Sequence, residues 1–323
     1  MRNLIVLALG AGCAMSLAMS FAAEMPYPQR PVRVVVPFGP GGSPDVLARA
    51  LGAQLEAQLG KTFIIDNRAG ANGIIGAEIV ARAAPDGYTV MHTPPGFIIN
   101  TLLYKNLSYD VDRDYVPVTN VASGSGYLLL VNPSLPVQSI RDLISLAKAK
   151  SLTYGSPPAG NTLHLATEMF NQRAGVRMLH IPYKGGSDSF AALMGNEIQV
   201  LVVPPTAAVP YVRSGRLRAL GFTGSKRLAL MPEVPTIAES GLPDYVVDFT
   251  WNGWFATAKT PPAIIARLQS EIRKAVQAPR MREILDASGF VAVANTPDEF
   301  RAFVRAEIKR YEQIVRDANV KVE

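Results

Sequence analysis

At 323 residues, with a formal net charge of +6 and a single cysteine, the chain is too long for one small core and too poor in thiols for a disulfide framework or a thiolate metal site. Its basic residues are scattered and form no stripe interleaved with aromatics, so nucleic acid is not expected as a partner. The three histidines, at 92, 164 and 180, make no metal-ligand motif, and no cofactor is implied.

In chain order, Arg2 precedes an apolar run from Leu4 to Phe21, and Ser20-Phe21-Ala22 offers the small residues of a cleavage site. Residues 1–22 therefore read as a secretory signal peptide. The run is short for a membrane span, contains Gly10 and Gly12 and is followed by Pro26-Tyr27-Pro28, which argues against a permanent anchor. Gly10-Ala11-Gly12 before Cys13 lacks the large aliphatic residue of a lipidation signal, so a lipid anchor is not expected either.

Val34, Val35 and Val36 read as a buried strand, and Val46, Leu47, Ala50, Leu51 and Leu55 recur at helical spacing. The turn between them carries Gly39, Gly41 and Gly42, which permit positive φ and close backbone approach. The unpaired amides and dipole of the following helix start favour an anion there. The same turn also reads as a plain connector. Asp45 is expected to act as a first-turn dipole partner.

A strand at Thr62–Asp66, a turn at Arg68–Gly73, a helix from Ile74 to Ala83 and a strand at Tyr88–His92 complete one βαβαβ half. His92 and Thr93 end that strand at the carboxyl edge of its sheet, where ligands bind in open α/β folds. A second series begins at Tyr127–Val131, runs through a helix with a Ser139/Asp142 capping box and reaches a strand ending at Tyr154. Helices near Asn161, Ser187 and Thr206 then alternate with strands at Met178–Ile181, Ile198–Val203 and Leu217–Phe222. Thr236 and Glu239 cap a short helix ended by Gly241. The aromatic strand Phe249–Phe255, with Trp251 and Trp254 as packing residues, leads to helices at Pro262–Gln277 and Thr296–Ala318. This alternation predicts an α/β architecture of sheets covered by helices. Chain crossings between two units are expected near Ser123–Tyr127 and Tyr245–Phe249.

The segment from Tyr154 to Thr162 repeats the strand, glycine-bearing turn and helix start of the first unit, so two helix starts can face one cleft and clamp a small carboxylate. Asn161 and Thr162 supply donors or serve as ordinary caps. His164 is expected to be a structural hydrogen-bonder. Tyr183, before Lys184-Gly185-Gly186, lines the cleft or belongs to a plain connection. Nucleophile, phosphate-loop and dinucleotide patterns fail: Gly124-Ser125-Gly126 lacks the elbow spacing, Gly39–Ser43 has no lysine, and Ala71 breaks the Gly70–Gly76 fingerprint.

Tyr27-Pro28, Pro37-Phe38, Gly41-Gly42 with Asp45, Asn67-Arg68-Ala69-Gly70, Ala84-Pro85-Asp86-Gly87-Tyr88, His164-Leu165, Pro182-Tyr183-Lys184-Gly185, Gly215-Arg216-Leu217-Arg218 and Pro232-Glu233-Val234-Pro235-Thr236 follow one another in an order that resembles the Bug or TctC group of extracytoplasmic solute receptors. The resemblance implies a two-lobed periplasmic binding protein of the type II class, with two mixed, mostly parallel sheets flanked by helices. Residues 23–124 plus 248–323 would form one lobe and 125–247 the other. It implies a monomer that captures a small organic carboxylate in the periplasm, without catalysis, and delivers it to an integral-membrane permease of a tripartite tricarboxylate transporter. Carried over to this chain, the ligand-binding residues are Phe38, Gly41, Gly42 and Ser43 on the first turn and Ser156, Gly160, Asn161 and Thr162 on the second, beside His92, Thr93 and Tyr183 from the reading above. Pro44, Asn161 and Val202-Val203-Pro204-Pro205 depart from the common pattern. With Phe97, the last stretch is expected to form apolar walls that favour an aromatic or aliphatic acid over citrate. A ligand-presenting sensor for a membrane kinase, and an enzyme on the same fold, remain alternatives.

Overall fold

A computed structural model of the chain describes residues 27–183, 186–248 and 250–317; the leader expected at 1–22, Lys184-Gly185 and Phe249 lie outside them. Strands β1 (Val32–Val36), β2 (Phe63–Asn67), β3 (Thr89–Thr93) and β4 (Tyr115–Gly124) precede β5 (Leu128–Val131), β6 (Thr153–Ser156), β7 (Leu179–Pro182), β8 (Val200–Val203) and β9 (Arg218–Phe222), with β10 (Thr250–Thr257) and β11 (Phe290–Ala292) last. They form a six-stranded sheet in the order β11-β4-β10-β3-β1-β2 and a five-stranded sheet in the order β7-β6-β8-β5-β9. The chain thus leaves the first sheet after β4, completes the second, and returns at β10.

The sheets are mixed, but less parallel than expected. β1 runs parallel to β2 and β3, and β6 to β7 and β8, whereas β10 is antiparallel to both its neighbours, as is β5, and β11 is antiparallel to β4. For β5 and β10 the reason is the crossing: each is the first strand after the chain changes sheets, and each runs against both its neighbours.

Helices cover both sheets: α1 (Ser43–Leu59), α2 (Ile74–Ala81), α3 (Gly96–Leu103), α4 (Val111–Asp114), α5 (Ile140–Ala149), α6 (Thr162–Ala174), α7 (Gly186–Met194), α8 (Pro205–Arg213), α9 (Pro262–Ala275), α10 (Pro279–Ala287) and α11 (Pro297–Asp317). Their ends follow local chemistry. α1 starts behind Gly42 with a proline in its first turn and stops at left-handed Gly60. α6 is capped by Asn161 Oδ1, which accepts from the Leu163 amide at 3.0 Å, and stops at left-handed Gly175. In the 236–239 segment, reciprocal bonds between Thr236 and Glu239 form as expected, but around a turn rather than a helix.

Val34, Val35 and Val36 are fully buried, each side chain stabilising the fold by about 1.5–3 kcal/mol relative to exposure. Trp254 packs with Val34, Leu47 and Leu268 between the first sheet and α1 and α9, whereas Trp251 stacks edge-on against Phe300 and Phe303 of α11. One apolar cluster runs from Met91 and Phe97 in the first unit through Trp251 to Tyr154 and Phe170 in the second. At the junction, Thr223 Oγ accepts from the Tyr127 amide at 2.8 Å and donates to the Val247 carbonyl at 2.7 Å, which ties the outgoing chain to the returning one. Among the described residues, no helix is long and apolar enough to cross a membrane.

Candidate functional site

The first turn is built by Asp45. Its carboxylate accepts from the Gly41 amide at 3.0 Å and from Asn67 Nδ2 at 3.0 Å, and it pairs with Arg49. Burial opposes its ionisation, but the bonds from Arg49, Gly41 and Asn67 outweigh that cost and hold its pKa below the ordinary carboxylate value. Two expectations change here. Only Gly41 of the three glycines takes positive φ, at +84°, while Gly42 is extended at φ −79°. The Gly41 amide is engaged by Asp45, which leaves the amides of Gly42 and Ser43 as the donors that this turn offers to an anion.

The second turn is organised by histidines. The Ser156 hydroxyl donates to the Pro157 carbonyl at 2.8 Å and so accepts from His180 Nε2 at 2.7 Å. His180 stacks on Tyr154 with ring centroids 5.1 Å apart and sits 4.4 Å from the His164 ring. His164 Nδ1 accepts the Gly160 amide at 3.4 Å, a structural role as expected. Burial, and then the neighbouring His180, push the His164 pKa down to about 3; burial also lowers that of His180. Ser156 and the Gly160 amide are therefore bound within the turn rather than presented from it. Thr162 is buried beside the Tyr127 hydroxyl at the junction.

The two turns approach each other at Gly96 and Gly160. A β carbon on Gly96 would stand 3.3 Å from Phe38 Cζ, 3.9 Å from Asn72 Oδ1 and 4.0 Å from Asn161 Nδ2. One on Gly160 would overlap Leu103 Cδ1 and lie 3.6 Å from Asn72 Nδ2. Phe38, Gly160 and Asn161 are thus brought together, and with them Asn72, Gly96 and Leu103, which sequence reasoning did not single out as site residues. Asn72 alone left a trace: an asparagine just before a glycine marks a left-handed turn, and it sits at φ +50°.

Other predicted residues lie elsewhere. His92 is fully buried in β3, where its Nδ1 accepts from Trp254 Nε1 at 2.9 Å; burial drives its pKa to about 3, opposed in part by Asn252 and by the charge of Asp45 on the first turn. Thr93 is fully buried, its hydroxyl donating to the Pro94 carbonyl at 3.2 Å. Tyr183 packs its ring over Gly155 at the edge of the second sheet. Phe97 is no cleft wall; it stacks on Tyr109 at 5.1 Å within an aromatic core. Val202 and Val203 are buried, and Pro205 lies against Gly289. The apolar walls expected from these residues are not formed.

An open groove of about 510 Å³ lies away from the turns, between Gly124-Ser125, Gly289–Val291 and the 225–230 segment. Lys226, Arg227, Asp248 and Asp286 line it; Arg227 pairs with Glu239 and Asp248 with Arg310. Among the described residues, no three His, Cys, Asp or Glu side chains gather as a metal site.

Residues 47–320 match the model of the tripartite tricarboxylate transporter family receptor. The chain is 36% identical over 300 residues to BugT of Bordetella pertussis strain Tohama I, across 92% of this chain and 91% of that one. Among solved structures, the Rhodopseudomonas palustris protein Rpa4515 with adipate superposes with a TM-score of 0.87 at 35% identity, covering 92% of this chain and 99% of its own. MatC from the same organism, with bound malate, gives 0.83 at 30% identity, covering 90% and 100%.

Proposed function

This chain belongs to the tripartite tricarboxylate transporter receptor family, and from that premise we propose that it is a periplasmic solute-binding protein. It captures a small organic carboxylate between two lobes, 23–124 plus 248–323 and 125–247, and hands it as a monomer to the permease of a tripartite tricarboxylate transporter, with no chemical turnover. The observation that carries this reading is the approach of Gly160 and Asn161 on one sheet to Phe38, Asn72 and Gly96 on the other. Two glycine turns that meet across two sheets suit a ligand enclosed by lobe closure. The carboxylate is held by the Gly42 and Ser43 amides at the start of α1, with Phe38 covering it and Asn161 reaching from the opposite lobe. The relatives solved with adipate and malate support a ligand of dicarboxylate size.

The test is a thermal-shift screen of the mature protein against aliphatic, aromatic and hydroxylated carboxylates. A ligand that binds only the folded state raises Tm by mass action, by the equivalent of about 2.7 kcal/mol at one hundred times Kd. At least one acid is expected to do so. A flat response across the panel would overturn the reading.

A further inference from the structure

We infer that Asn72 and Asn161 form a hydroxyl-reading pair, so that the preferred ligand is a hydroxycarboxylate; this rests on the receptor reading above. The argument begins with the orientation of the Asn72 amide, which its neighbours fix. Tyr109 donates its hydroxyl proton to the Phe97 carbonyl at 2.7 Å. Asn100 Nδ2 can then donate to the Tyr109 oxygen at 3.3 Å, and it donates to the Asn72 carbonyl at 3.1 Å. That assigns Asn100 Oδ1 as the acceptor facing Asn72, and Asn72 Nδ2 donates to it at 2.8 Å. Reversing Asn72 would set acceptor against acceptor, and reversing Asn100 would set donor against donor. Asn72 Oδ1 is thereby turned to the opposite side, toward Gly96, where it is buried with no hydrogen-bond partner among the described residues.

Asn72 is only 3% exposed, and a buried acceptor left unpaired costs about 1–3 kcal/mol. Its backbone is left-handed as well. Two unfavourable features at one residue mark a position whose chemistry is completed by something else. Across the gap, Asn161 uses its Oδ1 to cap α6, which turns its NH2 group toward the same point beside Gly96. One lobe therefore offers an acceptor and the other a donor, each about 4 Å from the point that a β carbon on Gly96 would take.

The chemistry of that pair discriminates among ligand groups. A carboxylate oxygen accepts only and would face Asn72 Oδ1 with like polarity. An ammonium donates only and leaves the Asn161 NH2 unanswered. An alcohol does both, donating to Asn72 Oδ1 and accepting from Asn161 Nδ2. Because one partner comes from each lobe, the same hydroxyl also favours the closed arrangement.

The test is calorimetric titration with acids matched except for one hydroxyl: malate against succinate, lactate against propionate, and 2-hydroxyadipate against adipate. Within at least one pair the hydroxy acid is expected to bind about tenfold more tightly or better. Asn72→Gly, which tolerates the left-handed backbone, should bring that ratio down to about one. Asn161→Ser, which keeps the helix cap, should reduce the ratio independently should Asn72→Gly fail to fold. Equal affinities within every pair, the result expected if water bridges the two amides, would overturn the inference and leave the receptor reading intact. So would a ratio unchanged in both variants. Failure of every acid to bind would instead count against the receptor reading itself.

Discussion

Gly160 and Leu103 meet across the gap between the two sheets, so closely that any side chain on Gly160 would overlap Leu103 Cδ1. Gly160 also sits at φ +85°, which an L residue adopts at a cost. Gly160→Ala should therefore weaken ligand binding by about tenfold or more. Adding Leu103→Ala removes the overlap but not the backbone strain, so part of the loss should return. Titrating both variants with an acid from the thermal screen checks this, and full affinity in folded Gly160→Ala protein would contradict it.

Thr223 joins the outgoing and returning chain through two buried hydrogen bonds. Thr223→Val keeps the shape and loses both, leaving the Tyr127 amide and the Val247 carbonyl unpaired. The expected cost is about 1–3 kcal/mol, read as a lower midpoint in urea unfolding. A midpoint unchanged from wild type would show that the junction is held by packing alone.

The buried histidines set an acid limit to stability. The folded-state pKa values of His92 and His164 lie at about 3, depressed mainly by burial, and that of His180 is lowered too. The unfolded chain takes up these protons from about pH 6.5, so the folded state is favoured above that pH and loses ground as pH falls from there toward 3. The slope approaches about 1.4 kcal/mol per pH unit for each histidine kept neutral. His92→Gln, which retains an acceptor for Trp254, should flatten the slope by one proton's worth. Urea unfolding at pH 7, 6 and 5 measures this, and parallel curves for the two proteins would refute it.

Much of the frame was legible because it is written locally. The Thr296/Glu299 box opens α11, with the Glu299 carboxylate accepting from the Thr296 amide at 2.8 Å, and the Ser139 cap opens α5. The alternating apolar runs gave most strands to within a residue or two. β4 went unread because Pro117 and the buried Thr119 and Asn120 break the apolar pattern, and the strand accommodates them with register shifts against β10. Of the site, the two glycine turns were visible, but not which of their amides stay available. That depends on Asp45 reaching Gly41 and on His164 reaching Gly160, contacts made by side chains whose direction the pattern leaves open. Asn72 and Leu103 were hidden for a different reason. Gly160 and Asn161, which they face, lie more than fifty residues away in the second unit.

Asp45 gives a further check on the first turn. Asp45→Ala removes the acceptor that holds the Gly41 amide and the Asn67 side chain, leaving the fold to lose about 1–3 kcal/mol. Ligand affinity should fall as well, because the Gly42 and Ser43 amides are positioned by the same turn. Thermal melts and titrations on one preparation separate the two effects; lowered Tm with intact affinity would mean that the turn does not carry the anion.

The most direct measurement is the distance between the two lobes with and without ligand. Cys13 is the only cysteine and falls in the expected leader, so Arg82→Cys and Lys148→Cys, both exposed and one on each lobe, can be spin-labelled uniquely in the mature chain. Pulsed electron-spin distance measurement should show a shorter, narrower distribution once the carboxylate found in the screen is added at saturation. An identical distribution with and without an acid that calorimetry shows to be bound would contradict a receptor that closes on its ligand between Gly160 and Gly96.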